Sequence, residues 1–274
     1  MNYDSEERRD TPLALKLKDR IRRVGPISVA EYMQACLQDP EHGYYVKRLV
    51  IGRDGDFITA SEISQIFGEL IGLWSAVVWQ QMGSPPRINL VELGPGRGTL
   101  MRDALRAAGK VPRFIDALDV HLVESNEHLI RMQRKTLETV DTKLRWHGSM
   151  RSLPEGPALL IANEFLDTTA VEQSVDGAER RVTLDESGRL VFEPASGVIT
   201  ERQDHIALTT DLASRASNAP LAALFIDYGH TETAAGETLQ ALCGHAPEHP
   251  LCSPGEADLT VHVDFAAFAA AIPR

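Results

Sequence analysis

The 274 residues contain three cysteines, 6% aromatics and no apolar run near the roughly 18 residues that a membrane span needs. Each shortage excludes something. Cys36, Cys243 and Cys252 are too few, and odd in number, for a disulfide framework, so a reducing compartment fits. Basic residues are also short: 28 Lys and Arg face 39 Asp and Glu, for a net charge of -11. A chain of that balance lacks the basic footprint of a nucleic-acid binder. Met1 to Asp10 has no apolar core of a signal peptide. Asp4, Glu6, Glu7 and Asp10 speak against a mitochondrial presequence, which is normally poor in acids. The expectation from these absences is a cytoplasmic protein with no membrane span and no nucleic-acid partner.

What is present is ordinary globular material, 43% hydrophobic and 24% charged. Pro12 to Val24 reads as an amphipathic helix with Leu13, Leu17 and Ile21 on one side. Ser28, with Glu31 three residues on, forms a capping box that opens a second helix. A long helix is expected from about Ser64 to Met82, with Phe67, Leu70, Ile71, Trp74, Val77 and Val78 as its apolar face. Ile63 and Ile66 are expected to pack in the core.

Strands and helices then alternate, which implies a parallel sheet. Strands are expected at Ile88 to Glu92, Val120 to Glu124, Lys143 to Trp146, Ala158 to Ala162 and Leu221 to Ile226. Helices are expected at Thr99 to Ala108 and Asn126 to Val140. Val171 to Phe192 alternates apolar and polar residues around Asp176-Gly177 and Ser187-Gly188, and reads as a β-hairpin insertion. The expected fold class is α/β, a doubly wound, mainly parallel sheet. Residues 1–84 would form a helical segment covering the cofactor site. Residues 85–274 would form the cofactor-binding domain, with a β insertion at about 171–195.

The sharpest motif is Glu92-Leu93-Gly94-Pro95-Gly96-Arg97-Gly98, between a strand and a helix. Glycines there permit a tight turn and close approach of a ligand to the backbone. A dinucleotide loop needs the spacing G-x-G-x-x-G. Here the third glycine comes one residue early, and Glu92 would repel a pyrophosphate. A cationic ligand suits an acid followed by glycines. S-adenosyl-L-methionine carries an ammonium and a sulfonium, and its ribose needs a second acid after the next strand. Glu124 stands there. An NAD-dependent oxidoreductase is disfavoured on the same grounds.

The chain resembles the MidA-like methyltransferases. The resemblance rests on Gly25-Pro26-Ile27-Ser28, Gly43-Tyr44-Tyr45, the block from Gly55 to Glu69, the glycine loop, and Asn163-Glu164-Phe165-Leu166-Asp167. Late matches are Asp227-Tyr228-Gly229, His245, Pro254 to Thr260 and His262 to Phe265. It implies a class I methyltransferase fold and protein arginine methylation, since the mitochondrial member is a complex I assembly factor that methylates an arginine of a complex I subunit. It also places Thr59, Ser61, Phe67 and Gly68 over the cofactor, beside Glu92, Gly94, Pro95, Gly96, Gly98 and Glu124.

Two departures stand out. The acidic motif continues Thr168-Thr169-Ala170, where the family usually has Ala-Leu-Pro. The chain stops at Arg274, where relatives add two strands and more helix. The sheet is therefore expected to lack its last strands and to expose an edge, which a partner or a second copy could cover.

If a guanidinium is the methyl acceptor, a carboxylate must orient it and help remove a proton. Glu164 is expected to do so, with Asn163 as a polar contact and Asp167 as a second candidate acid. Cys243, His245, His249 and Cys252 carry metal-binding atoms, but the spacing is loose and Pro247 and Pro250 stiffen the loop, so no metal is expected. Two alternatives remain beside a protein substrate: a small-molecule methyltransferase, or a degenerate cofactor-binding scaffold or assembly factor.

Overall fold

The computed structural model describes residues 8–47 and 60–273. Contacts divide the chain into two compact units. One is Ile58–Phe165, Ile206–Asp227 and Ile272–Arg274; the other is Met1–Phe57, Leu166–His205 and Tyr228–Ala271. The division does not fall at the expected break near residue 84.

The first unit is built on a five-stranded parallel sheet. Its order is Leu221–Ile226, Ala158–Asn163, Ile88–Leu93, Leu118–Val123, Leu144–His147. The chain enters at the central strand Ile88–Leu93, which is buried along its whole length. It builds outward to Leu144–His147, then returns to the other side of the centre. That reversal makes a crevice at the carboxyl ends of Ile88–Leu93 and Ala158–Asn163, where ligands of doubly wound sheets bind. The second and third strands are shifted by one or two residues from their expected limits. The helix expected to reach Val140 is Glu127–Thr136, capped by the Asn126 side chain, which accepts from the His128 amide at 2.8 Å.

The long helix is Gln65–Gln81, with Ser64 as its N-cap. Its buried face is Gly68, Ile71, Gly72, Ser75, Ala76 and Trp79. Ile63, Ile66, Leu70 and Val77, expected in the core or on the apolar face, are exposed. The reason is close packing. A Cβ on Gly72 would lie 2.2 Å from the Ala104 carbonyl oxygen, so only a small-residue face can approach the helix Thr99–Ala108.

The second unit is discontinuous. Its helices Pro12–Val24 and Val29–Gln38 begin at Thr11 and at the Ser28/Glu31 capping box, both amide bonds of the box being 3.0 Å. Three three-stranded sheets and one two-stranded pair, Gly229–His230 with Val263–Asp264, accompany them among the described residues. In place of one hairpin insertion there are two hairpins in different sheets. Val171–Val175 pairs with Ala178–Glu179 and also with Ile199–Gln203, while Arg181–Leu184 pairs with Leu190–Glu193 and with Ile27–Ser28. Gln240–Cys243 pairs with Ala246–Glu248 and Asp258–Thr260. The apolar stripe Leu13, Leu17 and Ile21 shares one core with Val171, Val182, Leu190 and Leu259. This is why the N-terminal helices belong with the later strands: a helix cannot bury its stripe alone.

Candidate cofactor site and catalytic turn

Glu92 lies near the carboxyl end of the central strand, 3% exposed. Its Oε2 is buried and has no hydrogen-bond partner. Burial pushes its carboxyl up to about 8. Gly94, Gly96 and Gly98 follow with φ of 59°, 52° and 83°, values that a Cβ disfavours. The loop is closed by the Gly98 amide donating to Pro95 O at 2.7 Å and by the Gly94 amide donating to Val123 O at 3.1 Å. Gly98 opens the helix Thr99–Ala108 without a side-chain cap.

Glu124 follows the neighbouring strand and is tied to this loop. Its Oε1 accepts from the Asn126 amide at 2.8 Å and its Oε2 from Gln133 Nε2 at 3.3 Å. The same Gln133 Nε2 donates to the Gly96 carbonyl at 2.9 Å, and Trp146 Nε1 donates to Gln133 Oε1 at 2.9 Å. Fully buried Gln133 therefore links the glycine loop to the acid. Burial raises the Glu124 carboxyl, against the pull of those donors.

Gln133 was missed in the sequence reading. Its signal was a polar residue four positions after Leu129 on the inward side of a helix. These residues fit S-adenosyl-L-methionine. A buried carboxylate oxygen with no partner suits a cation, and a second half-buried acid has lone pairs left for hydroxyls, whereas two carboxylates would reject a pyrophosphate.

Across the crevice, Asn163 ends its strand and Glu164 turns the chain with φ 47°, left-handed and unusual for a glutamate. The turn is held from the next strand. The Glu164 amide donates to Ile226 O at 2.8 Å, and the Phe165 amide donates to Asp227 Oδ2 at 3.1 Å. Backbone strain held this firmly is characteristic of functional positions. The Glu164 carboxylate accepts from the Ala60 backbone amide and, at 3.5 Å, from Asn163 Nδ2. Burial, then the nearby Asp227 charge, raises its carboxyl above the usual range. The Phe165 ring packs on the glycine loop: a Cβ on Gly94 would meet its Cδ2 at 2.7 Å.

The remaining expected residues fall in several places. Pro95 is buried in the loop. Ser61 lies in the short helix Ala60–Ile63, whose Glu62 reaches Arg97 of the loop at 3.8 Å. Phe67 packs against the core of its unit. Gly68 sits at the helix crossing, where a Cβ would be 2.7 Å from Asp103 Cβ. Thr59 lies outside the described residues. Asp167 belongs to the other unit, 3% exposed, accepting from the Tyr228 hydroxyl at 2.6 Å. No group of three or more His, Cys, Asp or Glu that could hold a metal occurs among the described residues.

A parallel sheet with its switch point beside an acid-and-glycine loop defines an S-adenosyl-L-methionine-dependent methyltransferase of class I. The comparisons agree. The chain matches the family described as S-adenosyl-L-methionine-dependent methyltransferase over residues 70–219 and 202–273, and it belongs to that family. It is 36% identical to the mouse (Mus musculus) mitochondrial protein arginine methyltransferase NDUFAF7, over 96% of this chain and 70% of that protein. It is 37% identical to the Drosophila melanogaster homolog, over 92% of this chain and 68% of that protein. Among solved structures it is similar to a COG1565 superfamily member from Burkholderia thailandensis bound to S-adenosyl-homocysteine. That match has a TM-score of 0.81 and 27% identity, covering 97% of this chain and 79% of that one. These relatives correct one expectation. The cytoplasmic location rested on the sparse cysteines, the lack of a signal-peptide core or membrane-span run and the acids before Pro12, whereas the curated relatives at this identity are mitochondrial proteins by name.

Proposed function

We propose that this chain transfers the methyl group of S-adenosyl-L-methionine to an arginine guanidinium of a protein substrate, with a subunit of respiratory complex I as the substrate that the family resemblance favours. The observation that carries the reading is the Glu164 carboxylate. It is half-buried, held on a left-handed turn, and joined through Phe165 to the glycine loop. The relatives named protein arginine methyltransferases support the choice of acceptor.

The cofactor supplies a sulfonium-bound methyl. The new bond joins that carbon to a guanidinium nitrogen, while the electron pair of the broken carbon–sulfur bond goes to sulfur. Glu92 would hold the cofactor's ammonium, and Glu124 its ribose hydroxyls. Glu164 accepts hydrogen bonds from the guanidinium and fixes one nitrogen in line. Its raised proton affinity suits it to take the proton that this nitrogen loses. Asn163 steadies the carboxylate. Asp167, bonded to the Tyr228 hydroxyl, serves stability instead of transfer.

The test is labelled methyl transfer from S-adenosyl-L-methionine into a cell lysate, with mass spectrometry of the products. Label on arginine of a protein supports the reading. Label only on small molecules favours a small-molecule acceptor. Tight cofactor binding with no transfer favours a scaffold.

A further inference from the structure

The long helix Gln65–Gln81 buries Gly68, Ile71, Gly72, Ser75, Ala76 and Trp79 and turns a row of aliphatic side chains outward. Ile66, Leu70, Leu73 and Val77, preceded by Ile63, form one exposed stripe, each residue 43 to 73% exposed. Scattered exposed apolar residues are ordinary, but a continuous seam is not. We propose that this seam is a symmetric interface at which a second copy of this chain docks antiparallel.

Three observations select a second copy. The spacing 66, 70, 73, 77 runs four, three, four, so it reads identically in both directions. A two-fold axis therefore sets Ile66 against Val77 of the partner subunit and Leu70 against Leu73 of the partner subunit. Self-complementarity is what an isologous contact requires, and alternating steps of three and four suit helix-on-helix packing.

The charges also allow it. Glu69 is the only charged residue of the helix, and Arg106 of the same chain holds it at 3.0 Å; Glu62, just before the helix, lies 3.8 Å from Arg97. Like charges are thus neutralised before two copies meet. The area suffices as well. Five side chains at these exposures offer on the order of 500 Å² per copy, and a pair would bury on the order of 1,000 Å², about the lower limit for a specific interface. A membrane surface fits less well, because such a helix would carry Lys or Arg on its polar face and this one carries none.

The experiment is sedimentation equilibrium of the full chain at micromolar concentration, with and without Leu70→Glu. Twice the single-chain mass is expected for the native chain. The variant should show the single-chain mass at the same concentration while its far-ultraviolet circular dichroism stays that of the native chain. A native chain that remains single, or a variant that stays paired, overturns the proposal.

Cysteine cross-linking in a Cys243→Ser background tests the orientation. Across an antiparallel pair the two positions 66 lie about 16 Å apart along the axis, so Ile66→Cys alone should not link. Ile66→Cys combined with Val77→Cys in one chain should link. Linking by each single variant means a parallel pair and overturns the geometry.

Discussion

Buried acids of the two units differ in what surrounds them. In the discontinuous unit, buried Asp167 accepts from the Tyr228 hydroxyl at 2.6 Å and buried Asp258 from the Tyr45 hydroxyl at 3.0 Å. Buried Arg180 is held there by Gln173 and Glu237 and lies over the Phe192 ring. In the parallel unit, Glu92 is equally buried, yet one of its oxygens meets no donor. A polar group withdrawn from water and left unpaired costs free energy. Asp167 and Asp258 are tied to tyrosine hydroxyls of their own unit, whereas Glu92 stands at the head of the glycine loop.

The largest expected effect separates Glu164 from Asp167, the two acids of one motif. Glu164→Gln should cut methyl transfer by about 100-fold or more while the cofactor dissociation constant, read by calorimetry, moves less than about threefold. Asp167→Asn should instead lower the unfolding midpoint. Equal loss of transfer in both variants without loss of stability would erase the contrast between the units.

The next concerns Glu92. Its folded-state value of about 8 lies above the ordinary 4.5. The folded protein therefore holds a proton that the unfolded chain releases between those values. Its contribution is fully present below about pH 4.5 and is lost as pH rises through about 8. Glu92→Gln does not titrate, so its stability advantage in the ligand-free protein should grow from nothing near pH 4.5 to roughly 4 kcal/mol above pH 8. Urea unfolding at pH 5 and pH 8.5 measures it. In the same variant, cofactor binding should lose both its tightening from pH 6 to 8 and its proton release.

A smaller effect is expected at Gln133. Gln133→Leu removes the amide shared by Gly96 and Glu124 and should weaken cofactor binding about tenfold, by calorimetry. The smallest is Tyr228→Phe, expected to cost about 1 kcal/mol in urea unfolding with no change in cofactor affinity, because it removes a hydroxyl bond to Asp167 and leaves the glycine loop intact.

The parallel unit was largely legible because its signals are local. Strand, glycine loop and helix follow one another within about a dozen residues, and Glu124 takes its place by strand order alone. The discontinuous unit was not, because its core joins Leu13 to Val171 and Leu259, and no local pattern records such a partnership. The two hairpins were read as one because alternation reveals a strand but not its neighbour. The helix Gln65–Gln81 misled for another reason: apolar periodicity was taken as the buried face, when glycines at 68 and 72 dictate which side comes close. At the site, Glu164 was singled out by its motif, whereas Phe165 against Gly94 and Asp227 under Phe165 needed three dimensions.

The split core also sets an order on biosynthesis. Leu13, Leu17 and Ile21 emerge roughly 150 residues before the first strand that covers them, a delay on the order of 10 to 30 seconds at ordinary translation speeds. Throughout that interval a sticky stripe trails from the ribosome while the first four strands of the parallel sheet emerge behind it. Such a nascent chain depends on chaperone shelter, and it should yield poorly wherever that shelter is overwhelmed.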